Sequence, residues 1–248
     1  SSLVSLEQIR GDLHMHTTAS DGRSTIDEMA QAAKKLGYEY IAICDHSKSA
    51  VIANGLSIDR MKQHIESIRE ADEKISGIHI LVGCECDILP DGSLDYPDDL
   101  LAQCDLVVAS IHTAMGTGGS NKISPTQRTL AAIENPYVTI IGHPTGRLIN
   151  QREAMDIDIA AVARAAAKHK TILEINASWK RLDLKDLHAR QAANAGVMLA
   201  INTDAHHTDQ LDQMRFGVTT ARRAGIASDQ VINTWAHDDF LRYIKQSR

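Results

Sequence analysis

Two short motifs near opposite ends of the chain combine residue types that bind divalent metal ions. Asp12-Leu13-His14-Met15-His16 places two histidines at the end of an apolar run, and Asp204-Ala205-His206 follows the apolar run Leu199–Asn202. Along a β-strand, side chains two positions apart point to the same side, so each motif could offer two ligands to one ion. An isolated His-x-His is about as often a pair of strand-end histidines bonded to backbone. Two matching motifs favour a metal site.

Three further candidates occur singly in the middle of the chain. Glu85, His112 and His143 each follow a short apolar run. A carboxylate can bridge two ions with its two oxygens, which histidine cannot do. Any one of these residues alone is most simply a satisfied polar strand end. However, six of the 12 histidines stand at such strand ends, which favours one shared site.

The mixture of ligands indicates the metal and the chemistry. Histidine and carboxylate ligands without thiolates suit Zn²⁺, Mn²⁺ or Fe²⁺ better than Mg²⁺ or Ca²⁺. A structural zinc site is not expected, because these ligands come from the whole chain and exceed four. Several ions together can lower the pKa of a bridging water and polarise a phosphoryl oxygen, so the pattern predicts phosphoester hydrolysis by metal-activated hydroxide. A binuclear amidohydrolase is the alternative, although no lysine stands at a strand end where it could become a bridging carbamate.

Apolar runs and helical spacings alternate along the chain and predict the elements that position these residues. The predicted strands are Gly11–His14, Tyr40–Cys44, Ile78–Cys84, Leu106–Ser110, Val138–Ile141, Thr171–Ile175 and Val197–Ile201. The predicted helices are Thr25–Leu36, Ser57–Ile75, Thr126–Glu134, Ile157–His169, Leu184–Ala195 and Thr208–Ala224. Such alternation implies parallel strands joined by right-handed crossovers.

The positions of the candidate ligands distinguish a barrel from an open sheet. Ligands gather at the carboxyl ends of parallel strands, and only a closed barrel brings all of those ends to one mouth. Because nearly every predicted strand is followed by a metal-type residue, we expect an α/β fold with a (β/α)7 barrel. Residues 1–248 are expected to form a single domain, with Gly116–Asn121 as a mobile loop.

Composition limits the partners. The 26 Lys and Arg against 32 Asp and Glu give a net charge of −6, which argues against a broad basic surface for nucleic acid. The sequence contains no apolar run long enough to span a membrane and no secretory signal, so we expect a cytoplasmic protein. The four cysteines are interpreted as buried thiols, since they lie in or beside apolar runs and do not form a spaced disulfide framework.

Taken in order, the motifs resemble those of the polymerase and histidinol phosphatase (PHP) family over about Gly11 to Ala224. They are Asp12-Leu13-His14-Met15-His16, Ser20-Asp21-Gly22, Asp45-His46-Ser47, Gly83-Cys84-Glu85, Ser110-Ile111-His112, Gly142-His143-Pro144 and Asn202-Thr203-Asp204-Ala205-His206. The resemblance implies a distorted seven-stranded β/α barrel that carries three divalent metal ions, which are Mn²⁺, Zn²⁺ or Fe²⁺.

The resemblance also assigns the ligands. The first ion would be held by His14, His16, Glu85 and Asp204; the second by Glu85, His112 and His143; and the third by Asp21, His46 and His206. Asp21 replaces a histidine found in some members, which favours Mn²⁺. Glu85, Asp204 and His206 would therefore be catalytic as well as metal-binding.

Four residues outside this set are candidates for holding the substrate. Arg147 follows the His143 strand end, where its guanidinium could clamp a phosphate, although an ion pair with a carboxylate explains it equally well. Lys48 and Arg181 are weaker candidates of the same kind. Trp179 could stack a terminal base or belong to the core or the rim.

Longer motifs resemble the C-terminal domain of bacterial X-family DNA polymerases. They include Ala53-Asn54-Gly55-Leu56-Ser57, Ile88-Leu89-Pro90-Asp91-Gly92-Ser93-Leu94-Asp95-Tyr96-Pro97 and His143-Pro144-Thr145-Gly146-Arg147. This resemblance implies a phosphate-ester substrate at DNA 3′ ends, a 3′–5′ exonuclease or 3′-end-processing activity, and an N-terminal polymerase region that this chain lacks. A small-molecule phosphatase of the histidinol-phosphatase type and a non-catalytic metal-stabilised domain of a polymerase assembly are the alternatives.

Overall fold

The computed structural model describes residues 2–115 and 123–245, so the predicted mobile loop Gly116–Asn121 lies outside the described residues. The strands are β1 Gly11–Met15, β2 Tyr40–Ile43, β3 His79–Asp87, β4 Leu106–Ser110, β5 Ile140–Ile141, β6 Ile172–Asn176 and β7 Leu199–Asn202. The α-helices are α1 Ile26–Lys35, α2 Ile58–Lys74, α3 Asp98–Leu101, α4 Pro125–Glu134, α5 Ile159–His169, α6 Asp186–Asn194, α7 Met214–Ala224 and α8 His237–Lys245. Short 3₁₀ turns occupy Leu6–Gln8, Val51–Ala53, Thr208–Gln213, Ser228–Gln230 and Ile232–Thr234.

The seven strands form one parallel sheet whose spatial order is the chain order, β1 to β7. Strands β1 and β7 meet through a parallel bridge between Met15 and Ala205, which nearly closes the sheet into a barrel. Asn233 bonds both strands at this seam: its amide donates to the carbonyl oxygens of Gly11 at 3.0 Å and Ile201 at 2.8 Å. The predicted (β/α)7 barrel is confirmed.

Local signals set the helix ends. At the start of α1, the Thr25 hydroxyl accepts a hydrogen bond from the Glu28 amide, and the Glu28 carboxylate accepts one from the Thr25 amide at 2.7 Å. This reciprocal capping box satisfies amides that have no partner within the helix. After α1, Gly37 has a φ of 83°, a left-handed conformation that glycine adopts without steric cost.

Two apolar clusters build the core. The larger lies between the strands and the helices, and the smaller gathers alternate strand residues such as Ala42, Leu81 and Val108. Because strand side chains alternate between two faces, the smaller cluster is the barrel interior. Phe240 and Ile244 of α8 join this inner cluster from the amino ends of the strands, so α8 closes the bottom of the barrel. The amino ends of the strands are thus covered, and the predicted ligands lie toward the opposite, carboxyl ends.

The predicted elements differ from the structure in a few places. The predicted helix Thr208–Ala224 is a 3₁₀ turn followed by α7, and the one-turn α3 and the C-terminal α8 were not predicted. Strand β3 continues to Asp87, so Glu85 lies inside the strand. The predicted strand Val138–Ile141 keeps only two residues as β5.

The interpretation of the four cysteines as buried thiols is confirmed. Cys44, Cys84, Cys86 and Cys104 are all buried, as predicted. Cys84 and Cys86 point into the outer cluster, away from Glu85. Among the described residues, no helix is long and apolar enough to cross a membrane.

Candidate metal centre

The seam between β1 and β7 brings the two end motifs together. The backbone amide of His16 donates to the carbonyl oxygen of Ala205 at 2.8 Å, and His16 Nε2 lies 3.0 Å from Asp204 Oδ1. His14 Nε2 is 3.9 Å from the same carboxylate oxygen. The ends of the chain, almost 190 positions apart, therefore contribute to one site, as predicted for a barrel.

Glu85 lies at the middle of the cluster and faces five histidine rings. Its Oε2 is 3.3 Å from His14 Nε2, 3.5 Å from His16 Nε2 and 3.1 Å from His46 Nδ1. Its Oε1 is 3.2 Å from His112 Nε2 and 2.9 Å from His143 Nε2. Both carboxylate oxygens are thus placed where a bridging ligand would be needed.

Asp21 extends the cluster toward the solvent. Its Oδ1 is 3.6 Å from His46 Nε2 and 3.3 Å from His206 Nε2. The structure thus brings together all nine residues that the sequence predicted as ligands. Eight of them form three overlapping groups, and within each group the ligand atoms lie within 4.8 Å of one another. The groups are His16, Asp21, His46 and His206; His14, His16, Glu85 and Asp204; and His46, Glu85 and His112. The ninth residue, His143, contacts the cluster through Glu85.

Several polar atoms of the cluster are buried without a hydrogen-bond partner. They are His14 Nε2, His16 Nδ1, His46 Nδ1, His143 Nδ1 and Glu85 Oε2. An unsatisfied buried polar atom is costly, at about 1–3 kcal/mol each, so native proteins rarely collect five of them in one place. Three of these atoms converge, since His14 Nε2 and His46 Nδ1 lie 3.3 and 3.1 Å from Glu85 Oε2, and a cation would satisfy all three. The donor set therefore fits divalent metal ions.

The pKa shifts within the cluster also indicate a metal site. Burial would raise the pKa of Glu85, but the neighbouring His112 and His14 hold it well below its usual value. Burial lowers the pKa of His46 to about 4. Burial also opposes the charge of His112, yet the carboxylates of Glu85 and Asp87 raise its pKa to about 10. The buried carboxylates thus stay ionised and depend on positive charge beside them, which metal ions supply.

Glu174 on β6 holds two of the predicted ligands and was not predicted from the sequence. One of its oxygens is 2.8 Å from His14 Nδ1, and the other accepts the backbone amide of His143 at 2.7 Å. Asn202 donates to the first oxygen at 2.9 Å, and Asn176 donates to the second at 3.2 Å. A carboxylate on the far nitrogen of a metal-binding histidine fixes the ring's tautomer and orientation. Glu174 is a positioning residue of this kind.

Asp87 makes the equivalent contact for His112. Its Oδ1 lies 2.5 Å from His112 Nδ1, which leaves Nε2 directed at Glu85. Ser49 donates to the other Asp87 oxygen at 2.6 Å, which holds the carboxylate in place. Strand β3 thereby supplies both the central carboxylate and a support for its neighbour.

Asp45 holds the segment that carries Asp21. Its carboxylate accepts hydrogen bonds from the Thr17 amide at 2.9 Å, the Ser20 hydroxyl at 2.5 Å and His64 Nε2 at 2.7 Å. Burial would raise the pKa of Asp45, but the hydrogen bond from His64 and its neighbours lower it to about 2. Asp45 therefore stays charged and anchors this turn beside His46.

Two of the predicted ligands have a strained backbone. His143 has a φ of 24° and Asp204 a φ of 55°, in a region that side chains other than glycine rarely adopt. Such conformations cost on the order of 1–3 kcal/mol and concentrate at functional sites, where the surrounding contacts enforce them. The strain aims both side chains at the cluster.

The structure gives the candidate substrate-binding residues different positions and contacts. Arg147 Nε donates to the carbonyl oxygen of Arg181 at 2.7 Å and its Nη2 to that of Leu182, so Arg147 holds the backbone of this segment. Arg181 itself reaches the centre: its Nε is 3.4 Å from Asp204 Oδ2 and its Nη1 is buried without a hydrogen-bond partner. Its position could be found only from the fold.

The other two candidates lie at the rim. Lys48 Nζ is 3.9 Å from Asp95 Oδ1, in an ion pair. Trp179 is 57% exposed, which excludes a core role, and Lys180 lies over its ring at 5.6 Å. An exposed aromatic on this side of the barrel remains compatible with stacking on a base.

The sequence is similar to a family model and to known proteins over most of its length. The PHP domain model matches residues 12–178. The chain is 45% identical over 245 residues to the DNA polymerase/3′-5′ exonuclease PolX of Bacillus subtilis strain 168, and the match covers 99% of this chain and 42% of that protein. A probable phosphatase of Thermoanaerobacter sp. strain X514 is 33% identical over 231 residues, which are 90% of this chain and 89% of that protein.

Solved structures show the same fold. The histidinol phosphate phosphatase of Lactococcus lactis, crystallised with Zn, L-histidinol and phosphate, gives a TM-score of 0.63 at 17% identity, covering 88% of this chain and 94% of that one. The putative histidinol phosphatase of Listeria monocytogenes gives a TM-score of 0.62 at 18% identity, covering 81% of this chain and 97% of that one. The family match over most of the barrel and the full-length likeness to the Thermoanaerobacter protein agree with the site's donor set. The chain belongs to the PHP domain family of metal-dependent phosphoesterases.

Proposed function

We propose that the chain hydrolyses phosphodiester or phosphomonoester bonds at nucleic-acid 3′ ends, as a 3′–5′ exonuclease or 3′-end-processing enzyme. The observation that carries the proposal is the nine-residue centre in a chain that is 45% identical, over almost its whole length, to a polymerase/3′-5′ exonuclease. The chain spans 42% of that relative, so an association with a polymerase region is part of the proposal.

We propose that the nine residues hold three divalent ions, of Mn²⁺, Zn²⁺ or Fe²⁺. The three overlapping groups of ligand atoms support that number, with Glu85 shared between two groups. His46 lies within reach of both Asp21 and Glu85, at 3.6 and 3.1 Å, so it stands between the second and third proposed positions. When bound, such ions supply a water of lowered pKa and a Lewis acid for a phosphoryl oxygen.

The protein's own groups orient the substrate in this proposal. The buried Nη1 of Arg181 has no partner and can donate to a phosphoryl oxygen, a charge-assisted hydrogen bond that is stronger than a neutral one. Arg147, predicted as the clamp, would act by fixing the backbone of Arg181, because two of its nitrogens already donate there. Glu85 and Asp204 keep the site anionic for metal, and His206 would hold the third ion through Nε2 while its Nδ1 lies 2.8 Å from the carbonyl oxygen of Asp204.

A small-molecule phosphatase is the second candidate. The net charge of −6 and the likeness to a probable phosphatase of nearly equal length favour it. A non-catalytic, metal-stabilised domain is the third, but a structural ion needs four ligands and this cluster offers nine.

Parallel assays of three substrates with added Mn²⁺ test these alternatives. They are single-stranded DNA, an oligonucleotide with a 3′-phosphate, and histidinol phosphate. We expect turnover of a DNA substrate and its loss in His14→Ala, because His14 touches both Glu85 and Glu174. His169→Ala, on α5 far from the cluster, is the control and should keep the activity. Turnover of histidinol phosphate alone would contradict the nucleic-acid proposal, and activity that survives His14→Ala would contradict the site.

A further inference from the structure

A cavity lies at the same end of the barrel as the metal centre. It has a volume of about 250 Å³ and is formed by segment 145–154, which follows β5, and by the start of α6. Its wall begins at Thr145, two positions after His143, so the cavity and the metal centre are neighbours. Three positively charged side chains and one histidine are among its ten lining residues: Arg147, Arg152, Lys185 and His188.

The positive charge of this cavity is not neutralised by ion pairs. Within residues 2–115 and 123–245, no carboxylate lies in an ion pair with Arg147, Arg152 or Lys185. The carboxylate of Asp186, next to Lys185, pairs instead with Arg223 at 3.1 Å. In a chain of net charge −6, three unpaired cations around one small cavity attract anions locally.

Two acidic residues near the cavity, Asp183 and Glu153, offset only part of this positive charge. Asp183 is fully buried and accepts hydrogen bonds from the amide and hydroxyl of Thr145 at 3.0 and 2.9 Å. Burial raises its pKa to about 6, so Asp183 is mostly ionised at neutral pH, but its carboxylate is engaged by Thr145 and does not line the cavity. Glu153 lines the cavity from an exposed position, where solvent screens its charge.

The cationic groups are held in place by backbone contacts that leave donors available. Arg152 Nε donates to the carbonyl oxygen of Gly146 at 2.9 Å, and its two terminal nitrogens form no hydrogen bond within the described part of the chain. His188 Nδ1 is buried without a partner. Burial, Lys185 and Arg147 all lower the pKa of His188, which indicates how concentrated the positive charge is.

A chain of contacts joins the cavity to the metal centre. Arg147, in the cavity wall, donates to the backbone of Arg181, whose side chain lies 3.4 Å from Asp204. An anion in the cavity would therefore sit on one side of Arg181, with the metal centre on the other. A nucleic-acid strand carries one negative charge on each successive phosphate, so one phosphate could lie at the metal centre and a neighbouring one in the cavity.

We propose that this cavity is a second anion subsite, which binds a phosphate group of the substrate other than the phosphate that is hydrolysed. Its assignment to a nucleic-acid strand rests on the proposed function, whereas the phosphate chemistry does not. Arginine provides a planar fork for phosphate oxygens, and lysine adds a point charge. A volume below the usual 300–1,000 Å³ of small-molecule pockets suits a single phosphate group with part of its sugar.

Lys185→Ala and Arg152→Ala test the proposal, with Lys168→Ala as the matched control. Lys185 precedes α6 and its side chain makes no capping bond, so alanine should be tolerated. Lys168 is exposed in the last turn of α5, at the opposite end of the barrel. The measurements are kcat and KM, with Mn²⁺, for a single-stranded oligonucleotide and for p-nitrophenyl phosphate, which is too small to reach both sites.

We expect each cavity variant to raise KM for the oligonucleotide about five- to tenfold without changing kcat. The slope of log KM against log salt should fall by about 0.7, which corresponds to one single-strand phosphate contact. The kinetics of p-nitrophenyl phosphate and of Lys168→Ala should match the parent protein. An unchanged oligonucleotide KM, or an equal change with both substrates, would overturn the proposal.

Two binding measurements separate this inference from the proposed function. The first is the Kd of a fluorescent oligonucleotide with phosphorothioate linkages, which reports the subsite even if the parent protein cleaves no DNA; a weaker Kd in both cavity variants supports the subsite. The second is the rise in Tm caused by inorganic phosphate. If the cavity variants reduce that rise but leave the oligonucleotide Kd unchanged, the cavity serves free phosphate and the assignment to the substrate strand is wrong.

Discussion

Glu85→Gln is expected to lower kcat/KM for the phosphoester substrate by at least about 10³-fold, which corresponds to about 4 kcal/mol of transition-state stabilisation. Glutamine keeps the size of the side chain but replaces a charged oxygen with an NH₂ group. In the structure both Glu85 oxygens lie within 3.5 Å of histidine nitrogens. In the variant the glutamine NH₂ group must therefore replace one of these oxygens and face histidine nitrogens that a carboxylate oxygen contacts in the parent protein. The substitution therefore removes the shared ligand between two proposed metal positions.

The measurement is steady-state kinetics with Mn²⁺, together with bound metal determined on the same preparation. Glu134→Gln, an exposed carboxylate at the end of α4, is the matched control and should retain activity and metal. Thermal unfolding of both variants shows whether the barrel is intact. A folded Glu85→Gln protein with nearly full activity would contradict a central bridging role for Glu85.

Glu174→Gln is expected to cost about 10- to 100-fold in kcat/KM and a similar factor in metal affinity. All four hydrogen-bond partners of Glu174 in the described structure can donate to it: His14 Nδ1, the His143 amide, Asn176 and Asn202. A glutamine NH₂ at this position would face one of these donors. The ring of His14 and the backbone of His143 would then lose their common support.

A merely structural role for Glu174 predicts something different. In that case the substitution would lower Tm, while the surviving folded protein would bind metal with unchanged affinity. We expect instead that metal affinity falls and that excess Mn²⁺ restores part of the activity. Glu174→Asp, which keeps the charge but shortens the side chain, should lie between Glu174→Gln and the parent protein. Unchanged metal affinity in Glu174→Gln would rule out the positioning role.

The sequence predicted most of the ligands because they stand at the ends of apolar runs. His112 and His143 each follow an apolar run, and a parallel barrel brings the ends of all its strands to one mouth. The family resemblance added Asp21 and His46, which spacing alone did not identify. The structure brings all nine residues together. Their roles as ligands, the number of ions, the single domain and the cytoplasmic location stay predictions.

The supporting residues were missed because their partners are distant in the chain. Glu174 lies within β6 and meets His14, 160 positions earlier, only after the barrel has closed. Asp87 and Asp45 likewise stand next to predicted ligands without any spacing that reveals their partners. On β6, alternation does place Glu174 and Asn176 on one face, and a buried carboxylate on an inward face was the available signal.

The roles of Arg147 and Arg181 also could not be predicted from the sequence. The sequence favoured Arg147 as the phosphate clamp because it follows His143 closely. In the fold, Arg147 turns to the backbone of Arg181, and Arg181 takes the position beside Asp204. Segments 145–152 and 176–183 lie next to each other because they follow the paired strands β5 and β6. Hydrogen bonds between a side chain of one segment and the backbone of the other have no signature in the sequence. The adjacent cationic cavity arises from the same contact.

The number of metal ions per chain tests the central claim most directly. Native mass spectrometry of protein purified without chelators counts the ions that each folded chain retains, and Glu85→Gln provides the comparison. The nine-residue centre predicts three divalent ions in the parent protein and fewer in the variant, because Glu85 is shared between two of the three groups. Two ions or fewer in an active parent protein, or a count that Glu85→Gln leaves unchanged, would contradict a trinuclear centre built around Glu85.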